Sequence, residues 1–442
     1  MPSTAVTAPL VELAAHLPTS AIPADAWEMG RLTVGNAASL AVGASRHPAV
    51  ALALDAVRAF GERPVASVLG RPERMGAASA AMVNGIAVHV EDFDDTHLES
   101  LVHPAAPVVP SALAAAELAG ASGRDVVAGV VIGMEVAIRT ALHLGRAHAD
   151  RGWHVTGTAG HLGAAAAAGR VVGLDGGEMA AALALAATEA AGLILAAGTM
   201  TKSLHPGKAA ADGIEAALLA RAGINGPPAP LEALAPLLSD ATGSDAAVAG
   251  LGTTWHAVAN AFKPYACGVV AHPVIDAAIA LRAELAEGET LERAEVAVNP
   301  LVLEAMGRAD PADSLDGKFS VHHCFAVGLL LGAAGPAQFA DAVVRDPAVA
   351  DVRRRLRFVV DDTVAMDETR VEAVTSSDRA VHHHVRHASG SVDSPLRAPA
   401  LRAKALLLTE PVLGPRAPAL VDLAFALDAA PGVAPLFEAA RG

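Results

Sequence analysis

The hydrophobic core of this chain has to be built from small aliphatic side chains. Of the 442 residues, 53% are hydrophobic but only 3% are aromatic, and long runs such as AALALAATEAAGLILAAG consist mainly of Ala, Val and Leu. Small side chains let helix axes approach each other closely, so this composition favours tightly packed α-helices. The length predicts two or three domains.

The hydrophobic pattern changes near residue 265. Before that point it has the period of an α-helix almost throughout. After one more helix, PVIDAAIALRAELAE, the runs RAEVAVNPLVLEA and LRFVVDD are typical of β-strands, and ETRVEAVTSS and AVHHHVRHASG predict a hairpin. The final stretch returns to helix. We therefore predict a mainly α protein, with a helical domain made of residues 1–265 and 398–442 and a smaller α+β lid domain, 266–397, inserted between them.

Composition excludes several classes of function. The net charge of −15 argues against binding to nucleic acid and to anionic membrane surfaces. Cys267 and Cys324 are too few for a disulfide framework or an iron–sulfur cluster. The N-terminal segment lacks the basic start of a secretory signal, and the longest apolar run contains Glu189, which favours a buried helix over a membrane span. These features predict a soluble, cytoplasmic protein.

The segment EDFDDTHLESLVHP, residues 91–104, is the most informative polar stretch. It contains five acidic residues, one Thr and two His between apolar, Ala-rich flanks. One interpretation is a helix cap followed by a solvated loop. The apolar residues among its charges, such as Phe93 and Leu101, instead indicate that it folds inward. Carboxylates and imidazoles packed together tune each other's pKa, as acid–base sites require.

Four further stretches concentrate ionisable residues: RGWHVTGTAGH, GTMTKSLHPGK, AFKPYACGVVAHP and GKFSVHHCF. Singly, each His could be a core residue and each Lys a solvated one. However, only five of the 32 basic residues are lysines, in a chain whose Ala, Gly, Pro and Arg content is typical of a GC-rich genome. Four of the five lie in these stretches, so we expect a need for a compact, titratable ammonium group there.

Three motifs in this order resemble those of the MmgE/PrpD family: DFDDTH with a following HP, GTMTKSLHPGKAA, and KPYACGVVAH. The family includes 2-methylcitrate dehydratase, cis-aconitate decarboxylase and iminodisuccinate epimerase. The resemblance extends over nearly the whole chain, including RHASGSVDSPL near the C-terminus. It implies a helical domain with a smaller α+β lid, a homodimer, and activity without a metal or organic cofactor.

The resemblance also implies a set of site residues. The active site of the decarboxylase branch corresponds to Asp92, Thr96, His103, His154, Lys202 and Lys263. Other polar residues in or beside the same stretches are expected to contact the substrate: His97, His205, Lys208, His272 and His323. Two departures from that branch, the longer LESLV loop and His323 in place of a Tyr, weigh against cis-aconitate itself as the substrate.

The chemistry suggests a role for each principal residue. His103 titrates near neutrality and is the natural acid–base group, with Asp92 expected to orient it and raise its pKa. Lys202 and Lys263 are expected to hold carboxylates and to stabilise an enolate-like intermediate. Thr96 and His154 would orient the substrate by hydrogen bonds.

These observations predict a cofactor-independent lyase, a dehydratase or decarboxylase, acting on a small di- or tricarboxylic acid. The alternatives are an epimerase or isomerase of a similar acid, a non-catalytic carboxylate-binding protein, and a metalloenzyme. The densest His run is His382, His383, His384 and His387. Because no Cys or acid within the run supports it as a ligand set, we predict a solvated strand there and no metal site.

Overall fold

The computed structural model describes residues 5–240 and 242–442, and α-helices dominate it. The helices before residue 265 are α1 (Thr7–His16), α2 (Ala24–Gly43), α3 (Pro48–Arg58), α4 (Ala77–His89), α5 (Ala105–Ala119), α6 (Gly123–Leu144), α7 (Arg146–Asp150), α8 (Val155–Val172), α9 (Gly176–Glu189), α10 (Met200–Arg221), α11 (Pro230–Leu238) and α12 (Ser244–Val248). The strands in the same part are β1 (Ala66–Ser67), β2 (Arg74–Met75), β3 (Asp95–His97) and β4 (Asn260–Phe262).

The rest of the described chain alternates helices with the larger sheet. Its elements are α13 (His272–Glu284), β5 (Leu291–Val298), α14 (Pro300–Met306), α15 (Ser314–Gly317), α16 (Val321–Leu331), α17 (Asp341–Val344), α18 (Pro347–Arg354), β6 (Leu356–Val360), β7 (Thr369–Thr375), β8 (Ala380–Val385), α19 (Ala398–Leu413), α20 (Ala417–Phe425) and α21 (Ala434–Ala439). The expectation of a mainly α protein is confirmed.

Small residues allow the central helices to pack closely, as the composition predicts. A Cβ atom on Gly133 of α6 would lie 2.6 Å from the carbonyl oxygen of Gly163 on α8. A Cβ atom on Gly85 of α4 would lie 2.8 Å from the Cα of Gly207 on α10. The second contact matters for function, because α4 leads into the acidic stretch and α10 begins with Lys202 in its first turn. Helix α6 is long and apolar enough to cross a membrane, but 94% of its most apolar window is buried inside the protein, as in a core helix.

The larger sheet has the strand order β6-β5-β7-β8. Strands β5 and β6 are parallel, whereas β5 pairs with β7 and β7 with β8 in antiparallel fashion. The predicted hairpin is therefore confirmed, and both other predicted strands lie in the same sheet. Helix α13 packs against β7, β8 and α16.

The C-terminal helices return to the N-terminal part of the chain. Helices α19 and α20 both pack against α2. The Phe425 ring at the end of α20 lies where a Cβ atom on Gly35 of α2 would be, at 2.6 Å. The division of the chain into two domains at residues 265 and 398 stays a prediction.

Two helix boundaries differ from the sequence pattern. The residues PSALAAAELA predict a helix from about Pro110 to Ala119, whereas helix α5 begins at Ala105, whose amide donates to the Asp95 carboxylate at 3.3 Å. Helix α9 ends at Glu189 although its apolar run continues for several residues. Gly192 and Gly198, with φ of 138° and 83°, take the chain out of the helix before α10.

Candidate active site

The acidic stretch crosses the centre of the protein as a buried turn and short strand. After α4 ends, Asp92 adopts a φ of 50°, a left-handed conformation that few non-glycine residues take. Strand β3 then pairs with β4, with Asp95 opposite Phe262. This pairing brings Lys263, the residue after β4, beside the stretch, where its amide donates to the Asp94 carbonyl at 3.1 Å. The expectation that the stretch folds inward is confirmed.

Asp92 lies between two lysines. Lys202 Nζ donates to Asp92 Oδ1 at 2.7 Å, and Lys263 Nζ lies 3.0 Å from the same oxygen. Burial alone would raise the pKa of Asp92, but the two ammonium groups outweigh it and hold the pKa well below its usual range. Burial lowers the pKa of Lys263, but the charges of Asp92 and Asp94 raise it by more. The Asp92 carboxylate and the Lys263 ammonium group are therefore both charged at neutral pH.

Two further lysines fix the backbone of the same segment. Lys318 donates to the Glu91 carbonyl oxygen at 2.9 Å and lies 2.9 Å from the Glu91 carboxylate. Lys404, on α19, donates to the carbonyl oxygens of Phe93 and Lys263, at 2.5 and 3.0 Å. Burial lowers the pKa of Lys404 to about 7. Four of the five lysines thus converge on residues 91–94.

His103 follows the stretch and faces a cavity. Its Nδ1 lies 2.6 Å from the Asp95 carbonyl oxygen and 3.0 Å from Thr96 Oγ1. Because a carbonyl oxygen only accepts, Nδ1 carries the proton in the neutral ring and Nε2 has a lone pair. Burial, together with the charge of Lys263, holds the pKa of His103 well below its usual value. The neutral form therefore dominates when no substrate is bound.

These contacts correct the expected relation between Asp92 and His103. Asp92 is held by lysines, and the backbone of Asp95 orients the imidazole instead. The carboxylate nearest the ring is Asp94, with Oδ1 3.6 Å from His103 Nδ1, and its other oxygen lies 2.6 Å from His89 Nδ1. The pKa of His103 is lowered rather than raised.

His154 and His205 form a pair of imidazoles at another side of the site. His154 Nδ1 lies 3.0 Å from His205 Nδ1, so one of the two rings donates to the other. Within the part of the chain that the structure describes, His154 Nε2 has no hydrogen-bond partner. Burial and the charge of Lys202 hold the pKa of His154 well below its usual value. His154 is therefore a neutral group whose Nε2 is available to a ligand.

A cavity of about 570 Å³ connects these groups, and its walls come from both α10 with its neighbours and the chain around residues 268–319. Its polar lining residues are Asp92, Thr96, His103, Arg146, Asp150, His154, Lys202 and Glu304. Five residues of the predicted site therefore line one cavity. Lys263 lies directly behind Asp92. We call this space the active cavity.

Five residues expected to contact the substrate do not line the active cavity. His205 lies behind His154. His97 pairs with Ser100 Oγ at 2.9 Å, and burial lowers its pKa to about 4. Lys208 binds Asp212 at 2.6 Å with 53% of its side chain exposed, because six residues along α10 turn it about 120° from Lys202.

The other two, His272 and His323, lie within the segment 264–339 and do not line the active cavity. His272 packs edge-on against Tyr265, with ring centroids 5.4 Å apart. His323 Nε2 lies 3.0 Å from the Gln338 carbonyl oxygen, and its ring packs against Phe339. Burial lowers the pKa of His323 to about 4. The expectation that these imidazoles bind the substrate directly is not supported by their positions.

One cluster near the cavity has metal-ligand chemistry. His89, Asp92, Asp94 and His103 present ligand atoms within 4.8 Å of one another. Both carboxylates, however, already face the Lys263 ammonium group, at 3.0 and 3.5 Å. A divalent cation would have to share this space with a buried positive charge, so the donor set fits lysine better than a metal.

The His run on β8 lies elsewhere. Three His of the run face three different acids: His383 lies 3.3 Å from Glu284, His384 lies 2.8 Å from Glu368, and His387 lies 3.1 Å from Asp367. Only His387 of this run belongs to a group with metal-ligand spacing among the described residues, together with Asp367 and Asp393, and it is exposed. The arrangement is that of a solvated strand.

Sequence reasoning missed three residues of the site. His89 and Asp94 lie inside or beside the acidic stretch but were given no role. Lys404 was overlooked because it lies far along the chain. The apolar run LRAKALLL does contain an indication of its role, because a Lys buried in such a helix needs hydrogen-bond acceptors in the protein interior.

Comparisons with known protein families match both parts of the chain. The MmgE/PrpD N-terminal domain matches residues 8–245, and the MmgE/PrpD C-terminal domain matches residues 265–424. The cis-aconitate decarboxylase of Aspergillus terreus (strain NIH 2624 / FGSC A1156) is 28% identical over 381 residues, which are 79% of this chain and 77% of that protein. The cis-aconitate decarboxylase of Homo sapiens is 40% identical over 167 residues, 36% of this chain and 34% of that protein.

A further relative is the cis-aconitate decarboxylase-like protein oryM of Aspergillus oryzae (strain ATCC 42149 / RIB 40). It is 31% identical over 230 residues, which are 50% of this chain and 48% of that protein. Because both domains of the family match and together span most of the sequence, this chain belongs to the MmgE/PrpD family.

Proposed function

We propose that this protein is a lyase that removes CO₂ from a small di- or tricarboxylic acid, without a metal or organic cofactor. The observation that carries this proposal is that Lys202 and His103 line one cavity, with the His103 ring held at Nδ1 so that its Nε2 keeps a lone pair. Relatives named cis-aconitate decarboxylase support the choice of decarboxylation over the other reactions of carboxylic acids.

The lysines supply the electrostatic part of the reaction. When CO₂ leaves a β,γ-unsaturated acid, the electron pair moves through the double bond onto the remaining carboxylate. Lys202, at the inner end of the cavity, would stabilise this charge where little water can screen it. Lys263 and Lys404 bind residues 92–94 from behind the site and so hold Asp92, the partner of Lys202, in place.

His103 would then return a proton to the carbon. The imidazole is neutral in the free protein, because burial and nearby ammonium groups lower its pKa. Bound carboxylates add negative charge beside the ring, and this raises the pKa of the imidazole. His103 would therefore gain its proton together with the substrate and donate it from Nε2.

Dehydration is the second candidate, and one observation favours it. In the free protein His103 already has a lone pair on Nε2, which is what a base needs to remove an α-proton. His154 would then protonate the departing hydroxyl. Epimerisation would need two such groups on opposite faces of one carbon, and His103 and Lys202 would take those positions.

The deciding experiment is proton NMR in D₂O with citrate, 2-methylcitrate, cis-aconitate, malate and iminodisuccinate. We expect one acid to lose CO₂ and to gain one solvent deuterium at the α-carbon, and His103→Asn to abolish both. Water loss or inversion at carbon would reassign the reaction. Saturable binding with neither product nor exchange would identify a carboxylate-binding protein.

A metalloenzyme is tested separately. Metal analysis of untagged protein, with activity measured before and after chelation, is expected to show no stoichiometric ion that activity follows. A bound ion lost together with activity would overturn the cofactor-independent mechanism.

The quaternary structure, location and lid stay proposals. We propose a cytoplasmic homodimer in which residues 266–397 close over the active cavity. The exposed apolar side chains Leu193, Leu195 and Leu204 are consistent with a second copy packing there. Light scattering after gel filtration tests the dimer.

A further inference from the structure

The charges that line the active cavity are already balanced before a substrate enters. At the inner end Lys202 is paired with Asp92. At the mouth Arg146 Nε lies 2.8 Å from Asp150 Oδ1, and its Nη2 lies 3.8 Å from Glu304 Oε2. Among the described residues of the lining, these are two cations and three carboxylates. A ligand with three negative charges would meet no excess of positive charge.

The groups behind the lining do not change this balance. Lys263 lies 3.0 Å from Asp92 and 3.5 Å from Asp94, so a second carboxylate accompanies the second ammonium group. His103 and His154 are neutral in the free protein, since burial lowers the pKa of both. Lys404 donates to two backbone carbonyl oxygens and Lys318 faces the Glu91 carboxylate, so neither ammonium group lines the active cavity. The inner end can therefore take one or two carboxylates by sharing Lys202 and Lys263.

Much of the rest of the lining is apolar, and we call it the apolar side. It includes Leu101, Val269, Val270, Leu301 and Met306, whereas the Phe319 ring lies beside Lys202, with its centroid 5.2 Å from the ammonium group. A carboxylate placed against these side chains would lose its hydration without gaining hydrogen bonds, which is unfavourable. An alkyl or aryl group in the same place would be removed from water at a gain in free energy. The cavity volume of about 570 Å³ leaves room for such a group.

From these observations we infer the substrate class, and this inference rests on the proposed function. The substrate is a dicarboxylic acid that carries an apolar substituent at the position where a tricarboxylic acid has its third carboxylate. The two carboxylates face Lys202 and the imidazoles, and the substituent lies against the apolar side.

The reaction of such a compound balances without a co-reactant. In a 3-substituted glutaconate, ⁻OOC–CH₂–C(R)=CH–COO⁻, the bond between the CH₂ carbon and its carboxylate breaks and CO₂ leaves. The electron pair forms the new CH₂=C(R) double bond, while the old double-bond pair moves onto the α-carbon and its carboxylate. A proton from His103 adds to that carbon and gives CH₂=C(R)–CH₂–COO⁻. With R as carboxylate, the same skeleton is cis-aconitate.

A matched series tests the inference, with R as carboxylate, methyl, propyl or phenyl and the double-bond geometry of cis-aconitate throughout. We expect kcat/KM to rise roughly fourfold for each methylene added from methyl to propyl. We expect the propyl and phenyl compounds to exceed cis-aconitate by at least tenfold. Faster turnover of cis-aconitate than of every apolar analogue would overturn the inference and leave the proposed function intact.

If the protein turns over none of the four compounds, their binding affinities still test the substrate class. That result would refute decarboxylation as the function, and calorimetric titration of the same four compounds would then test the substrate class alone. Tighter binding of the propyl compound than of cis-aconitate would uphold it, and the reverse order would overturn it.

Two lining variants provide an internal check. Glu304→Gln removes an exposed carboxylate from beside Arg146, which stays paired with Asp150, so we expect the KM for cis-aconitate to fall while that for the propyl compound stays within twofold. Leu301→Lys adds a cation to the apolar side and should shift the preference ratio towards cis-aconitate by at least tenfold. Because both side chains are partly exposed, both variants are expected to fold. An unchanged preference in both would contradict the inferred orientation of the substituent.

Discussion

Two cavities of this protein share a wall and contain the same kinds of side chain in different environments. The active cavity contains Lys202, Asp92 and His154. The second cavity, of about 540 Å³, is lined by His161, His205, Lys208 and Asp212 among others. The contact between His154 and His205 forms the shared wall, with the two Nδ1 atoms 3.0 Å apart.

Burial distinguishes the two sets of charges. The Lys202 side chain is 10% exposed and shares Asp92 with the fully buried Lys263, whereas the Lys208 side chain is 53% exposed on Asp212. Exposed ion pairs contribute about 0–1 kcal/mol and are screened by salt. Water and salt screen buried charges much less than exposed ones. Strongly perturbed pKa values mark candidate functional sites. A His, a Lys and an Asp in one motif are therefore not enough to identify a site.

The largest effect is expected from His103→Asn. The variant keeps a hydrogen-bonding side chain of smaller size but loses the proton donor, so kcat should fall by about 10²–10⁴-fold with a small change in KM. CO₂ release and deuterium incorporation measure the chemical step, and calorimetry measures substrate binding. A loss of binding that accounts for the whole effect would make His103 a binding residue.

Lys202→Met and Lys208→Met compare two positions of one helix. The first variant removes the ammonium group of the active cavity and should lower kcat/KM by about 10²–10³-fold. The second removes a half-exposed partner of Asp212 and should change kcat/KM by less than about twofold. Thermal unfolding of both variants controls for stability. Equal losses in the two variants would contradict the distinction between the cavities.

The pH dependence sharpens the role of His103. If His103 is the proton donor, its imidazole must be protonated for the reaction, although at pH values above its lowered pKa it is mostly neutral in the free protein. We therefore expect kcat/KM to fall about tenfold per pH unit between about pH 6.5 and 8.5. The substrate raises the pKa of the imidazole, so kcat should stay flat to higher pH than kcat/KM. A plateau in kcat/KM over this range would indicate that His103 acts as a base.

Asp95 is the control for this profile, because burial and the charge of Asp94 raise its pKa to about 7. Its carboxylate accepts from Asn260 at 2.6 Å and holds the start of α5. Asp95→Asn keeps a side chain of the same shape without the titration. The slope of kcat/KM should survive in this variant, and its disappearance would assign the slope to Asp95.

The sequence predicts the local features of the fold better than the details of the site. The hairpin of β7 and β8 and the Ser122–Asp125 capping box at the start of α6 follow from patterns within ten to twenty residues. Site membership depends instead on which face of a helix turns inward. The helical period shows that Lys208 and Lys202 lie on different faces of α10. The sequence does not show which of these faces is turned towards the site.

The partners of the acids could not be predicted in the same way. Asp92, Asp94 and Asp95 are close in sequence, yet they pair respectively with lysines, with His89 and with Asn260. Their directions depend on the positive φ of Asp92, which no residue pattern in the stretch indicates. The residue pattern therefore does not indicate that His103 contacts the Asp95 carbonyl oxygen while Asp92 binds lysines.

A smaller catalytic effect than that of His103→Asn or Lys202→Met is expected at the shared wall, from His205→Asn. In the neutral pair, one Nδ1 donates to the other, so a proton that enters at His205 can leave His154 from Nε2 without either ring staying charged. Since His205 also lines the second cavity, it lies between that cavity and His154 of the active cavity. If His154 is reprotonated by this route, His205→Asn should lower kcat by about tenfold, at the low end of proton-transfer effects, while KM stays the same. Added imidazole should restore part of the rate, which a purely structural role would not allow; a change in KM alone, without rescue, would separate the two cavities functionally.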